Sequence, residues 1–533
     1  MNENLQNAIR SWTDILGDKQ VFTDPYIPEK FRKDTNGIER RIPALLRVLD
    51  AASLPGLMQI SHQHAVPVYP VSTGLNWGYG SAMPCIDDCV LIDLSGLVKI
   101  IDFDADLGVV SLEPGVTQAM LADFLDAQGA GFLVPVTGSG PHCSLMGNAL
   151  ERGYGVTPCT DHFAAVTDIE AVLPDGRLFR SAMNEAGSPE LARLFKWGIG
   201  PYLNGLFTQS GFGIVTRISI ALARQPESVK VCIFSLKEDG LLEGTVERLR
   251  DLLSRFPGTV AAVNLMNRHR MLAMTAPYPF DQIGPDGLIP PVLVERLGKQ
   301  YLISPWTGLM TLYGTRASVR VAQSAIRTAL RGIASRLVFL THGQADGLAN
   351  LAQMIPGTSG KRIAQTSKTL ALSLDLVNGR PNETALPLAY WRNRKAPTPG
   401  AMNPAQDDCG LIWYSPLIAM KPTQVRAYVD MVQRIACSFG IEPLMTLTSL
   451  NDRIFDSTVP LLYDKTSPVA MQKAKACFDQ LLDTGRELGF FPYRLGPDTM
   501  LEFQRRHPRS ADLAARLKQA LDPQDLLAPG RYR

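Results

Sequence analysis

Residues 70–81 read PVSTGLNWGYGS. An apolar strand, Val66 to Val71, runs straight into a bend where Gly74, Gly78 and Gly80 are interspersed with Ser72, Thr73 and Asn76. Glycines and small hydroxyl residues let backbone N–H groups approach an anion closely, as a pyrophosphate cradle requires. A second bend of the same texture, TGSGPHCSLMGNALERGYG, occupies 137–155. Either bend alone is accounted for as a turn. The familiar nucleotide signatures are missing, since no GxGxxG follows a strand and no GxxxxGK[ST] occurs. Rossmann and P-loop readings are therefore disfavoured.

Working outward, VLIDL (90–94), VKIIDFD (98–104) and VVSLEPGV (109–116) read as short strands. DIEAVLPDGRLFRS (168–181) reads as a hairpin turning at Pro-Asp-Gly, and GFGIVTRISIALAR (211–224) as a long β-rich run. Beyond Gln225 the pattern shifts to longer helices, Leu241–Phe256 and Arg316–Leu337, interleaved with strands such as TLALSLDLV (369–377). A domain boundary is placed there. RNRKAPTPGAMNPAQDD (392–408) reads as a loop of the second unit, and PQDLLAPGRYR (523–533), too short to stand alone, is expected to pack back on the first. The expected class is α+β.

At 533 residues, the chain exceeds one ordinary core. Hydrophobic residues at 45% and charged residues at 20% give a globular balance. A formal charge of +2 predicts no general pull toward nucleic acid or anionic membrane. The polar N-terminus and the lack of a long apolar stretch lead to a cytoplasmic expectation. The eight cysteines are scattered and include no CxxC, so free thiols are expected; Cys85 and Cys89 lack the second pair a shared metal would need. No metal site is expected.

Eight segments, in order, resemble the vanillyl-alcohol oxidase and p-cresol methylhydroxylase family of flavoproteins. They are PVSTGLNWGYGS (70–81), VVSLEPGVT (109–117), MGNALERGYGVTPCTDHF (146–163), GPYLNGLFTQSGFGIVTRI (200–218), CGLIWYSPL (409–417), LLYDKTSP (461–468), the Tyr493–Arg494 pair and LLAPGRY (526–532). The resemblance implies a two-lobed FAD-binding domain built from both chain ends, 1–225 and 488–533, with an α+β cap, or substrate, domain at 226–487. It implies FAD contacts from Ser72, Thr73, Gly74, Asn76, Gly78 and Gly80 in the first bend, and from Gly147, Asn148 and Arg152 in the second. Gly213, Ile214 and Val215 of the β-run and Arg531 near the end complete that set.

The same resemblance implies that Tyr79, Tyr493 and Arg494 bind a phenol. Two hydroxyl donors and a guanidinium on one oxygen would lower its pKa and hold phenolate. Hydride loss from the para benzylic carbon to flavin N5 then gives a quinone methide, the cofactor supplying the redox chemistry. Asp161, in TPCTDHF, matches a family acid beside the benzylic carbon and would take a proton from adding water or a benzylic alcohol. The alternative for Asp161 is a cap of a helix or hairpin, and for His162 a structural hydrogen bond.

Two departures stand out. No histidine lies between His342 and His507, and Cys409, Gly410 and Leu411 occupy the place where a histidyl link to FAD is sought, so FAD is expected to be non-covalent. Tyr390 and Tyr414 are the tyrosyl alternatives, with core packing as their other reading. TLTSLNDRIF (446–455) also lacks the paired histidines associated with this position. The expected activity is benzylic oxidation of a para-substituted phenol, with dioxygen or a cytochrome or other carrier as acceptor and a homodimer as the family default. Oxidation of a hydroxy acid or aliphatic alcohol in the same fold is the rival reading. A flavin-binding protein without turnover is the other, for which a phenolate site would have no use.

Overall fold

The structure is a computed structural model describing residues 2–156, 158–353 and 368–532. The chain forms two compact units. Unit 1 comprises 1–155, 161–224 and 495–533; unit 2 comprises 156–160 and 225–494.

Unit 1 begins with helix α1 (Glu3–Leu16), strands β1 (Val21–Thr23) and β2 (Ala44–Arg47), helix α2 (Leu54–His64), and strands β3 (Val68–Val71) and β4 (Val90–Asp93). The four strands form a sheet ordered β1-β2-β4-β3, with β2 and β3 both parallel to β4. Fully buried Trp12, Leu46, Leu57, Val68 and Ile92 pack its core. A second, antiparallel sheet follows: β5 (Ile100–Asp104), β6 (Val109–Leu112), β8 (Val166–Val172), β9 (Leu178–Phe179) and β10 (Ile214–Ala221), ordered β5-β6-β10-β8-β9. The short β7 (Phe132–Leu133) pairs with β11 (Ala223–Arg224). Helices α3 (Gln118–Ala127), α4 (Leu145–Leu150), α5 (Ala182–Glu185) and α6 (Pro189–Leu194) connect these strands.

Unit 2 is organised on a nine-stranded antiparallel sheet. Its strands are β12 (Ser228–Leu236), β13 (Val260–Asn267), β14 (Trp306–Gly314), β15 (Ala334–Leu340), β16 (Cys409–Tyr414), β17 (Pro416–Ala419), β18 (Thr446–Ser449), β19 (Ile454–Asp464) and β20 (Phe491–Pro492). Their order is β15-β12-β14-β13-β18-β19-β17-β20, with β16 also on β19. The helices are α7 (Leu242–Arg255), α8 (Arg268–Thr275), α9 (Pro291–Gln300), α10 (Arg316–Ala329), α11 (His342–Gln353), α12 (368–377), α13 (Pro422–Ser438) and α14 (Pro468–Leu488).

Two expected elements differ. TLALSLDLV alternates like a strand but lies in helix α12, where Ala371, Leu374 and Val377 recur every three residues on the buried side and Ser373 Oγ donates to the Thr369 carbonyl at 2.9 Å. A short apolar run satisfies both periods, and helical packing prevailed. The helix expected over Arg316–Leu337 stops at Ala329. Gly332, at φ 80°, turns the chain into β15, which pairs with β12.

Residues 488–494, read from the sequence as part of the returning segment, instead supply β20 and its pairing with β17. The return begins at Leu495 with α15 (Pro497–Arg506) and α16 (Pro508–Leu521). Its end is locked into unit 1: Val68 donates to the Leu526 carbonyl, Ala528 donates to the Val68 carbonyl, and buried Lys518 donates to the carbonyls of Gly211 and Leu527. Among the described residues, no helix is long and apolar enough to cross a membrane.

Candidate active site

The bend after β3 closes on the Asn76 carbonyl, which accepts the N–H groups of Tyr79 at 3.1 Å and Ser81 at 3.0 Å. Two buried residues from earlier in the chain hold it. Gly78 N–H donates to Thr35 Oγ1 at 2.7 Å, Gly80 N–H to Asn36 Oδ1 at 3.1 Å, and Asn36 Nδ2 to the Gly78 carbonyl at 3.1 Å. Sequence reasoning missed this clamp; its signal, DTNG at 34–37, is a common turn pattern with nothing to tie it to residue 78. Gly80 is obligatory by two measures. Its φ is 86°, and a Cβ there would lie 2.6 Å from Pro497 Cδ. Tyr79 itself is buried, and Gly496, two residues beyond Arg494, lies against its backbone.

The second bend meets the first. Ser144 caps α4 by accepting the Gly147 N–H at 2.9 Å, and its own N–H donates to Thr73 Oγ1 at 3.3 Å. A Cβ on Gly147 would fall 2.5 Å from Ser72 Oγ. Ser72, Thr73 and Gly147 therefore share one small surface, next to Gly74, Asn76, Gly78 and Gly80. Closely apposed glycines, hydroxyls and N–H groups are what a pyrophosphate demands, so these residues fit FAD.

Other expected FAD residues are engaged within unit 1. Asn148 Nδ2 lies 2.5 Å from His162 Nδ1. Burial pushes that imidazole down to about 4, so it is neutral and accepts the amide N–H. Arg152 donates to Thr208 Oγ1 through Nε and Nη2, at 3.1 and 2.9 Å. Arg531 is buried, ion-paired to Glu151 at 2.5 Å and donating to the Tyr69 hydroxyl at 3.0 Å. Gly213 abuts Phe207, where a Cβ would come within 2.7 Å, and Ile214 and Val215 pair with Val172 and Ala171 on β8. Asp161 is exposed, and its Oδ1 accepts the Ala164 N–H at 3.0 Å. That contact is a turn cap.

In unit 2, strand alternation sorts the sheet into two faces. Toward the helices, Tyr428 of α13 donates to Ser457 at 2.8 Å, and Tyr414 meets Phe478 of α14 edge-on. On the other face, the register aligns Asp456, Thr458 and Pro460 of β19 with Thr448, Thr446 and Trp413, and Thr448 and Thr446 with Asn264 and Met266 of β13. Several of these side chains are only partly buried.

Tyr493, just past β20, donates its N–H to the Ser415 carbonyl at 3.3 Å. Arg494 follows, with 9% exposure. Its charge acts on Asp456, an acid that sequence reasoning overlooked inside the strand IFDSTVP. Burial pushes the Asp456 carboxyl up to about 7, and the Arg494 guanidinium partly opposes that rise. Tyr414 is enclosed in the core, and Tyr390 donates to Asp407 at 2.5 Å.

An FAD binding domain family matches residues 43–182, which contain both bends. The chain is 32% identical to the 1'-carboxy-chondrochloren decarboxylase of Chondromyces crocatus, over 99% of this chain and 97% of that protein. It is 24% identical to the flavoprotein subunit of 4-cresol dehydrogenase (hydroxylating) of Pseudomonas putida, over 98% and 94%. In fold it is similar to the 4-ethylphenol oxidase of Gulosibacter chungangensis, with a TM-score of 0.88 at 23% identity, covering 100% of this chain and 97% of that one. With its glycine cradle, its antiparallel-sheet second unit and a relative matched along nearly its whole length, the chain belongs to the vanillyl-alcohol oxidase and p-cresol methylhydroxylase family of FAD-dependent oxidoreductases.

Proposed function

We propose that this protein oxidises a para-substituted phenol at the ring-bonded carbon, with Tyr493 and Arg494 holding the phenolic oxygen as an anion, a role the family resemblance also implies for Tyr79. The observation that carries the reading is Arg494, a nearly buried guanidinium next to Tyr493 whose neighbouring carboxyl titrates near neutrality and so only partly offsets its charge. Hydroxyl donors and a planar cation favour phenolate over phenol. Charge pushed through the ring from that oxygen weakens the benzylic C–H bond, and the substrate leaves the step as a quinone methide. FAD, when bound, supplies the hydride acceptor. The protein fixes the phenolate and so orients the benzylic carbon. Asp161, engaged in its turn, has no chemical role in this reading.

The test is anaerobic mixing with 4-alkylphenols, which should bleach the flavin where aliphatic hydroxy acids do not. Bleaching by hydroxy acids alone would overturn the assignment. Reoxidation in air against reoxidation by a c-type cytochrome then identifies the acceptor, and light scattering tests the homodimer expected from the family.

A second reading is favoured by the relative named as a decarboxylase. If the carbon next to the benzylic one bears a carboxylate, hydride loss gives a quinone methide that can expel CO2. The C–C bonding pair becomes the side-chain double bond, the exocyclic double-bond pair returns to the ring, and an alkenylphenolate is left. No water adds, and no base is needed. Stoichiometric CO2 and alkenylphenol from a 4-hydroxyphenylalkanoate would distinguish this course from hydroxylation.

A further inference from the structure

Arg270 lies in the first turn of α8, within NRHRM (267–271). Its N–H donates to the helix cap Asn267 Oδ1 at 3.0 Å, and its guanidinium lies over the Trp413 ring, 5.8 Å from the centroid. Nε and Nη1 are sealed from solvent and have no hydrogen-bond partner among the described residues. Among the described residues no acidic side chain offsets the charge; burial alone holds the group down at about 10.

Buried cations are ordinarily paired, and a ring face does not accept several N–H bonds. The surroundings add to the deficit. Arg268 brings a second positive charge and its own unpartnered Nε, while His269 faces Glu442 at 3.6 Å. The first turn of α8 contains no acid, although a helix N-terminus favours one. Thr446, in register with Met266, adds a buried hydroxyl without a partner.

Position gives this deficit a meaning. Trp413 stands two residues before Ser415, the residue whose carbonyl accepts the Tyr493 N–H. Between those two backbone positions, with the chain extended, that is about 7 Å. A phenol with its oxygen at Tyr493 and Arg494 and a two- or three-carbon acid chain in the para position has the reach to bring its far end to Trp413.

We infer that Arg270 receives a carboxylate on the para side chain of the substrate, the chain lying along Trp413. This rests on the phenol reading above and names the substrate class within it: 4-hydroxyphenylalkanoic acids and their analogues. A carboxylate would accept from Nε or from Nη1, in either case with Nη2 as the second donor, in a charge-assisted pair that an amide or alkyl group cannot match.

The test uses the FAD-loaded enzyme and Arg270→Met. Apparent dissociation constants come from the concentration dependence of anaerobic flavin reduction by 3-(4-hydroxyphenyl)propanoate, its primary amide and 4-ethylphenol. The wild type should bind the acid ten- to a hundredfold more tightly than the amide. Arg270→Met should erase that preference and leave 4-ethylphenol within about twofold, which also reports an intact site. Equal affinity for acid and amide in the wild type overturns the inference, whether or not the variant folds. So does an acid preference that survives in Arg270→Met. If no phenol reduces the flavin, the phenol reading alone fails, and 3-phenylpropanoate should still raise the melting temperature of wild type but not of Arg270→Met. Equal stabilisation by inorganic phosphate would identify an unspecific anion site and overturn the assignment to substrate.

Discussion

Asp456 is a fully buried carboxyl on β19 acted on by the guanidinium of Arg494, and burial outweighs that attraction, so its proton is held until about pH 7. The ordinary value is 3.8, at which the unfolded chain releases the same proton. Between these values the folded protein binds more protons, so stability from this group is present at low pH and falls as pH rises from about 4 to about 7. The loss amounts to at most about 4 kcal/mol. Asp456→Asn should flatten this part of the profile, measured as urea midpoints at pH 5 and pH 8. An unchanged slope would show that Asp456 is not the buried acid responsible.

Arg494→Lys should slow anaerobic reduction by 4-ethylphenol about ten- to a hundredfold, corresponding to one charge-assisted contact of about 1.5–3 kcal/mol. An ammonium keeps the charge but not the planar fork. A wild-type reduction rate would remove Arg494 from the phenolate site.

Acid precipitation of the purified protein should release the flavin into the supernatant. No histidine lies between His342 and His507, Tyr414 is enclosed in the core, and Tyr390 is bonded to Asp407. Flavin retained in the pellet would contradict this, and mass spectrometry of the flavinylated peptide would locate the link.

Asp161→Asn should leave flavin reduction and turnover within a few fold of wild type, because asparagine can accept the same Ala164 N–H. A general base, by contrast, contributes about 10²–10⁴-fold. A loss of that size with unchanged substrate affinity would return Asp161 to the chemistry.

The cradle was legible in the sequence because local chemistry writes it: glycines and hydroxyls must sit where backbone comes close, as at Ser72, Thr73 and Gly147. The role proposed for Tyr493 and Arg494 rests on family resemblance, since nothing in their local sequence sets them apart. Thr35, Asn36, Asp456 and Arg270 were not legible, because their meaning lies in partners far along the chain. Asp456 reads as one acid in a strand until register sets it on a buried face with Arg494 acting on it. Arg270 reads as an ordinary surface-type cation until its guanidinium is found stranded over Trp413. The α12 segment failed for a different reason: nine residues of alternating leucine satisfied two periods at once.

The hydrogen bonds that tie Val68 to Leu526 and Ala528, with Lys518 gripping the Leu527 carbonyl, have a consequence for biosynthesis. Strand β3 and the cradle it feeds emerge early from the ribosome, but residues that complete their packing follow only after the whole of 225–494. Unit 2, apart from residues 156–160, is continuous in sequence and free to fold during synthesis. Unit 1 must wait. Until residues 526–528 are available, the edge of β3 stays exposed, so the first unit closes only once the chain is complete.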